Sequence, residues 1–320
     1  MKNASEKKIT KTLFIPLIVF IQMKYLTVVL GPTGVGKTDI CLNIAKHYSI
    51  PIINADSRQI FAELPIGTAA PTTEQQNQVK HYFVGNHSIH DYYSASMYEQ
   101  DVLNLLNTML YKTNVALMTG GSMMYIDAVC NGIDDIPTID ETTRKFIKRR
   151  LDEEGLPSLV EELKKMDPEH YDIIDMNNPR RVVHALEICH MTGKTYTSFR
   201  KNTIKQRPFN IIKIGLNRPR EELYERIDKR VIQMIENGLI DEARKVYQYN
   251  GINSLNTVGY KELFEYFNGN ITLSEAVLKI QNNSHKYCRK QLTWFKKDDK
   301  IQWFNPENIE EIINYIDRIV

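Results

Sequence analysis

The sequence predicts an α/β protein: a parallel sheet flanked by helices, interrupted by an all-helical segment. Three observations carry this. Leu26-Thr-Val-Val-Leu30 is a short β-branched apolar run, the mark of a buried parallel strand. A glycine-rich stretch and then a helical period, Asp39-Ile-Cys-Leu-Asn-Ile-Ala-Lys46, follow it directly. Further apolar strands alternate with helices until Gly132, after which only helical signals appear as far as His190.

Taken in order, Ile50-Pro-Ile-Ile-Asn54 reads as a second buried strand. A helix over roughly 96–112 leads to a third, Val115-Ala-Leu-Met118. Asp140 caps a helix running to Gly155, and another spans 157–166. Asn178-Pro179 opens a third inserted helix, cap then proline in the first turn, which stops at Gly193. Asn210-Ile-Ile-Lys-Ile-Gly-Leu216 restores the sheet. The remainder reads as helical: an amphipathic stretch from Glu221 to Gly238, and a long helix opened by the capping box Thr272-Leu-Ser-Glu275. The expected organisation is an extension at 1–22, a catalytic core at 23–133 and 208–320, and a helical insertion at 134–207.

The chain has 320 residues, enough for one large domain or two modest ones. Its formal charge of +2 comes from 41 basic and 39 acidic residues, so net charge gives no argument for nucleic-acid binding. Residues 1–22 hold four lysines against one glutamate; without them the balance is −1. Any nucleic-acid surface must therefore be a local cluster. Leu13–Ile21 is an apolar run too short to span a bilayer, and no small-residue cleavage site follows it. The expectation is that translation starts at Met23 and that 1–22 is an upstream extension, the competing reading being a membrane anchor. Cys41, Cys130, Cys189 and Cys288 are far apart and read as thiols of a reducing compartment, neither a disulfide frame nor a zinc site.

The strongest motif is Gly31-Pro-Thr-Gly-Val-Gly36-Lys37-Thr38, which fits G-x-x-x-x-G-K-[ST] between a strand and a helix. The sheet is thus expected to be P-loop NTPase-like. Backbone N–H groups of Thr33, Gly34, Val35 and Gly36 converge on phosphate oxygens in such a loop, at the positive end of a helix. Lys37 reaches terminal phosphates, and Thr38 offers a hydroxyl to Mg²⁺. The motif reads as a nucleotide- or ATP-type loop but specifies only a diphosphate-bearing ligand. Asp56 lies just past the second strand, where parallel sheets gather ligands. It could accept a proton, bind magnesium or cap a helix. After the third strand comes Thr119-Gly-Gly-Ser122, where a typical NTPase has an aspartate to hold Mg²⁺ and orient water. That absence counts against ATP hydrolysis.

Basic residues gather at Arg180-Arg181, at Arg200, Lys201, Lys205 and Arg207, and at His285, Lys286, Arg289, Lys290, Lys296 and Lys297. The last group is interleaved with Tyr287, Trp294 and Phe295. Basic and aromatic residues on one element suit RNA; each cluster is also compatible with a solvated face, and the aromatics with a core.

Together these residues resemble the bacterial tRNA dimethylallyltransferases. The matching segments, in family order, are Gly31–Thr38, Asn54-Ala-Asp-Ser-Arg-Gln59, Ile66-Gly-Thr-Ala-Ala-Pro71, Tyr93-Ser-Ala95, Gly120-Gly-Ser-Met-Met-Tyr125, Asn178-Pro-Arg-Arg-Val182 with Ala185-Leu-Glu187, Val258-Gly-Tyr-Lys-Glu262 and Arg289-Lys-Gln-Leu-Thr-Trp-Phe295. The resemblance implies transfer of a dimethylallyl group from dimethylallyl diphosphate to N6 of adenosine 37, beside the tRNA anticodon. It implies that the phosphate loop, with Arg230, holds that diphosphate rather than ATP, and that Mg²⁺ assists. It gives Asp56 the task of accepting a proton or hydrogen bond from the N6 amine, with Ser122 between the two substrates. It implies tRNA contacts at Asp56, Ser57, Arg58, Gln59, Arg144, Arg180, Arg181, Val182, Val183 and His184, and a cytoplasmic monomer. Ser122 stands where the family has threonine, His184 where arginine is frequent, Ser284-His285 where Thr-Arg is typical, and Arg289-Lys290 inverts the usual pair. The readings weighed against it are a P-loop small-molecule kinase, an enzyme prenylating free adenine nucleotide, and a non-catalytic RNA module.

Overall fold

The computed structural model describes residues 23–201 and 203–320; the expected extension at 1–22 lies outside them. Six parallel strands form one sheet: β1 (Tyr25–Leu30), β2 (Ile52–Asn54), β3 (His81–Tyr82), β4 (Val115–Gly120), β5 (Asn210–Leu216) and β6 (Ile301–Phe304), in the order β3-β2-β4-β1-β5-β6. β1 sits centrally between β4 and β5, its Leu30 level with Gly120 and Gly215. Its alternate side chains supply two cores: Val29 packs with α1 (Lys37–Tyr48), and, beyond a short α2 (Thr73–Gln78) that precedes β3, Leu26, Val28 and Leu30 pack with α3 (Ala95–Lys112) and α4 (Met123–Asn131). Helices therefore cover both faces, as parallel strands without a polar face require. No helix among the described residues is long and apolar enough to cross a membrane.

The expected strands are all present, with two corrections. β2 begins at Ile52 rather than Ile50, because the Ile50 N–H instead closes α1 on the Ala45 carbonyl and Pro51 has no N–H to pair. The chain after β5 is not wholly helical: β6 adds an edge strand, Lys213 level with Ile301. Its four residues are too few to show a period, and only its two end residues are buried. β3 escaped detection for the same reason.

Between α4 and β5 lies the expected insertion, which has its own apolar cluster of Ile147, Leu159, Leu163, Val182, Ala185 and Leu186. Gly155, at φ 79°, breaks α5 (Glu141–Met166) into the two helical stretches the sequence predicts. α6 (Pro168–Ile173) and α7 (Pro179–Thr192) follow, α7 capped by the Asn178 side chain and ended by Gly193 at φ 67°. The returning segment is tied to the core by Arg207, buried against Glu99 at 2.7 Å and donating to the Val129 and Ala128 carbonyls. Lys205 pairs with Asp135 at 3.1 Å. Two members of this basic loop thus hold the fold and are not a free RNA surface. After β5, α8 (Arg220–Glu236), α9 (Leu239–Val246), α10 (Tyr260–Phe267) and α11 (Leu273–Phe295) pack over loop residues Ile60, Phe61 and Leu64 in a third cluster.

Candidate active site

At the carboxyl ends of β1, β2 and β4, where loops leave the sheet, a cavity of about 880 Å³ opens. The phosphate loop forms one wall. Gly31 passes so close to β5 that a Cβ there would stand 2.6 Å from the Leu216 carbonyl oxygen. Gly36 caps α1 at φ 104°, a conformation that other side chains resist. Lys37 follows, its Nζ donating to the Gly31 and Pro32 carbonyls at 2.9 Å. Burial, and then the charge of Arg230, pull the Lys37 ammonium down to about 8. Arg230 comes from α8 and reaches Thr33 Oγ1 at 3.4 Å. Burial lowers its pKa too, against the pull of Asp56. Two desolvated cations facing one cavity make a strong anion receptor.

Asp56 faces the same cavity from the end of β2. Its Oδ1 accepts from the Arg58 N–H at 2.9 Å and more weakly from the Gln59 N–H at 3.4 Å. Oδ2 takes no hydrogen bond among the described residues. No helix begins here among the described residues, so Asp56 caps a turn rather than the helix its sequence position allowed, and one carboxylate oxygen is left for other chemistry. Ser122, 8% exposed, accepts the Ser57 N–H at 2.8 Å and lies 3.1 Å from the Ser57 hydroxyl. β4 thus delivers a hydroxyl, not a carboxylate, to the place where hydrolytic relatives of the fold hold water.

Of the residues singled out in the sequence, Thr33, Gly34, Gly36, Lys37, Thr38, Asp56, Ser57, Arg58, Gln59, Ser122, Arg180 and Arg230 line this one cavity. Arg58 and Gln59 already have internal tasks: Arg58 Nη1 donates to the Asn253 and Ser254 carbonyls, and Gln59 Nε2 to those of Thr68 and Ala69. Val35 and Val182 turn fully buried side chains into the sheet core and the insertion core, so whatever either offers a ligand comes from its backbone, as the phosphate-loop reading expects of Val35. Arg144 lies over the Tyr92 ring, Arg181 is exposed at the start of α7, and His184 packs edge-on against Tyr196; none of them, nor Val183, lines the cavity. On α11, Arg289 donates to the Tyr224 hydroxyl at 2.6 Å and His285 stacks on the Tyr224 ring, whereas Lys290 lines the cavity. Phe295 belongs to the core, as one reading of the aromatics had it.

Sequence reasoning missed Arg226, Lys229 and Gln291 as individual residues of the wall, and Asn256 and Thr257 just before the matched segment that starts at Val258. A signal for Gln291 existed: it is an uncharged polar residue four places after Tyr287 on an otherwise amphipathic helix.

Thr38, from which the sequence expects a hydroxyl for Mg²⁺, lines the cavity next to Lys37. No cluster of three His, Cys, Asp or Glu side chains among the described residues could hold a metal unaided. A single hydroxyl, a nearby carboxylate and substrate phosphates are nonetheless the donors Mg²⁺ accepts, so these residues fit an ion that arrives with its diphosphate.

The chain matches the family described as IPP transferase over residues 59–298. It is 57% identical over 293 residues to "tRNA dimethylallyltransferase 1" of Bacteroides fragilis, covering 92% of this chain and 97% of that one. It is 58% identical over 291 residues to the protein of the same name from Phocaeicola vulgatus, covering 91% and 97%. Among solved structures, the full-length tRNA isopentenylpyrophosphate transferase of Bacillus halodurans superposes with a TM-score of 0.67 at 33% identity, covering 92% of this chain and 96% of that one. A eukaryotic dimethylallyltransferase acting on tRNA shares the fold, with a TM-score of 0.73 at 21% identity, covering 88% and 74%. By sequence, by fold and by the phosphate loop that faces Asp56 and Ser122, the chain belongs to the IPP transferase family, that of the tRNA dimethylallyltransferases.

Proposed function

We propose that the protein transfers a dimethylallyl group from dimethylallyl diphosphate to N6 of adenosine 37 in tRNA, as a monomer in the cytoplasm. The observation that carries this is one cavity with two chemically distinct ends. A cationic loop without a hydrolytic carboxylate lies at one end, and a carboxylate with a free oxygen beside a buried hydroxyl at the other.

In the reaction the allylic C1–O bond breaks and a C1–N6 bond forms. The diphosphate leaves with the bonding pair, and N6 gives up one proton. Lys37, Arg230 and the loop N–H groups after Thr33, whose own N–H is taken by Gln291, stabilise the charge that grows on the departing oxygens. Mg²⁺ bound at Thr38 would supply further charge neutralisation there. The allyl carbon tolerates positive character, so N6 needs only modest activation. Asp56 Oδ2 receives the proton as the new bond forms. Ser122, fixed by Ser57, holds the space between the two ends. Arg180 of the insertion reaches the cavity, where it would meet the anticodon loop and help hold the target base out of its stack.

The test is incubation with labelled dimethylallyl diphosphate, Mg²⁺ and unmodified tRNA. Label is expected on tRNA and is lost when position 37 is changed from adenosine. Label only on AMP, or phosphoryl transfer from ATP instead, overturns the reading.

A further inference from the structure

Gln291 has no part in the chemistry above, yet it is the most deeply buried polar side chain on the cavity wall, 1% exposed. It lies on α11, between the two ends of the site. Its Oε1 accepts the Thr33 N–H of the phosphate loop at 2.8 Å. Its Nε2 donates to the Gly121 carbonyl at 2.9 Å, next to Ser122. Both atoms of the carboxamide that can make directional bonds are thus used, one on each loop. The fit is close on the second side: a Cβ at Gly121 would stand 2.4 Å from Nε2. Tyr287, one turn earlier, also approaches the Gly121 carbonyl, at 3.4 Å.

The two loops leave adjacent strands that are paired as far as Leu30 and Gly120; beyond that last pair the Gln291 carboxamide bonds to both. Their spacing matters to the reaction. The allylic carbon is carried by the diphosphate, on the Thr33 side. The attacking nitrogen is placed by Asp56 and Ser122, on the Gly121 side. Bond formation needs those atoms at about 3–3.5 Å and aligned, and an error of about 1 Å costs on the order of 100-fold in rate. A rigid planar amide bonded to both loops sets that distance better than packing alone.

We infer that Gln291 is a positioning residue: its carboxamide fixes the distance between the donor loop at Thr33 and the acceptor loop at Gly121–Ser122, so that it governs turnover rather than the binding of either substrate. The inference rests on the assignment of donor and acceptor ends under the proposed function.

The test uses the full chain and two variants, Gln291→Leu and Gln291→Glu. Leucine is of similar size and bonds to neither loop. Glutamate keeps the acceptor for Thr33 and loses the donor to Gly121. Inorganic pyrophosphate with Mg²⁺ is titrated calorimetrically, unmodified tRNA by filter binding, and the rate of label transfer is measured in single turnover. Gln291→Leu is expected to lose about 100-fold in the single-turnover rate while both dissociation constants stay within about threefold; Gln291→Glu falls between it and the parent. Gly121→Ala, which leaves Gln291 intact and displaces its amide, is expected to show the same split, and it decides the matter if Gln291→Leu does not fold. An unchanged rate, or a rate loss matched by weakened pyrophosphate or tRNA binding, overturns the inference. Failure of the parent protein to bind pyrophosphate would instead strike at the donor-site assignment, and so separates the two.

Discussion

At the scale of single residues, Asp56 and Lys37 carry opposite tasks in one cavity and fail in different ways. Asp56 uses Oδ1 to hold the turn that follows β2, and its Oδ2 takes no hydrogen bond among the described residues; the proposed mechanism gives that oxygen to the substrate amine. Asp56→Asn preserves the first task and removes proton acceptance. It is expected to lower turnover on the order of 100- to 10,000-fold, with tRNA affinity within a few-fold in filter binding. Lys37 is a cation held at about 8 by burial and by Arg230. Below that pH it is charged; as pH rises through 8 the free protein loses the charge. A bound diphosphate favours the protonated form. Affinity for pyrophosphate is therefore expected to be level up to about pH 8 and to fall above it, approaching tenfold per unit. Calorimetric titration across pH 7–9.5 checks this, and Lys37→Met is expected to bind weakly with no such slope.

At the scale of elements, the insertion is a small helical bundle whose return to the sheet is held by a buried ion pair and by Lys205 beside it. Arg207 and Glu99 are 6% and 5% exposed at the side chain, 2.7 Å apart, with Arg207 also closing two carbonyls at the end of α4. Removing Arg207 leaves the buried Glu99 carboxylate with only Lys205, 3.6 Å away, and the Ile133 N–H, and strips two carbonyls of their donor. Arg207→Ala is expected to cost about 3–5 kcal/mol of stability, read as a lowered urea midpoint. The insertion's own core predicts a separate loss: Leu159→Ala, at a fully buried position, is expected to cost about 2–5 kcal/mol in the same measurement. The sequence marked three helical stretches of this insertion, because their signals are local, and missed the six-residue α6, which is too short to show a period. Asp140, Asn178-Pro179, Gly155 and Gly193 each act within one turn of the chain. It marked β3 and β6 not at all, because two and four residues at the edges of a sheet hold no period of their own.

At the scale of the whole molecule, the near-neutral charge of the chain is divided between cations that face the cavity and cations that hold the fold. Arg180, Arg230 and Lys290 are of the first kind; Arg207, Lys205 and Lys213 are of the second, each paired with a carboxylate. Only the first kind can release counter-ions when RNA binds. Arg180→Ala is expected to reduce the salt dependence of tRNA binding by about one unit of slope in log K against log salt. Lys205→Ala, at a residue of the same basic count, is expected to leave the slope unchanged. Filter binding between 50 and 200 mM salt is the range in which that difference is readily measured.

The sequence by itself determined the α/β class, the phosphate loop and the position of the insertion. Each is written in neighbouring residues: a β-branched run, a fixed glycine spacing, a cap with its proline. It also placed Asp56 and Ser122 at strand ends, which in a parallel sheet is enough to put them at the ligand side. What each basic or polar side chain does was decided by the tertiary structure alone. Arg207 and Arg180 are equally basic in sequence, but one meets Glu99 from a helix 108 residues away while the other lines the cavity. Val182 stands in a matched segment and turns into the insertion core. Gln291 is 258 residues from Thr33 in the chain and 2.8 Å from it in the fold. The physical reason is the same in each case: local sequence fixes backbone preference, whereas burial and pairing are set by whichever distant groups the fold brings alongside.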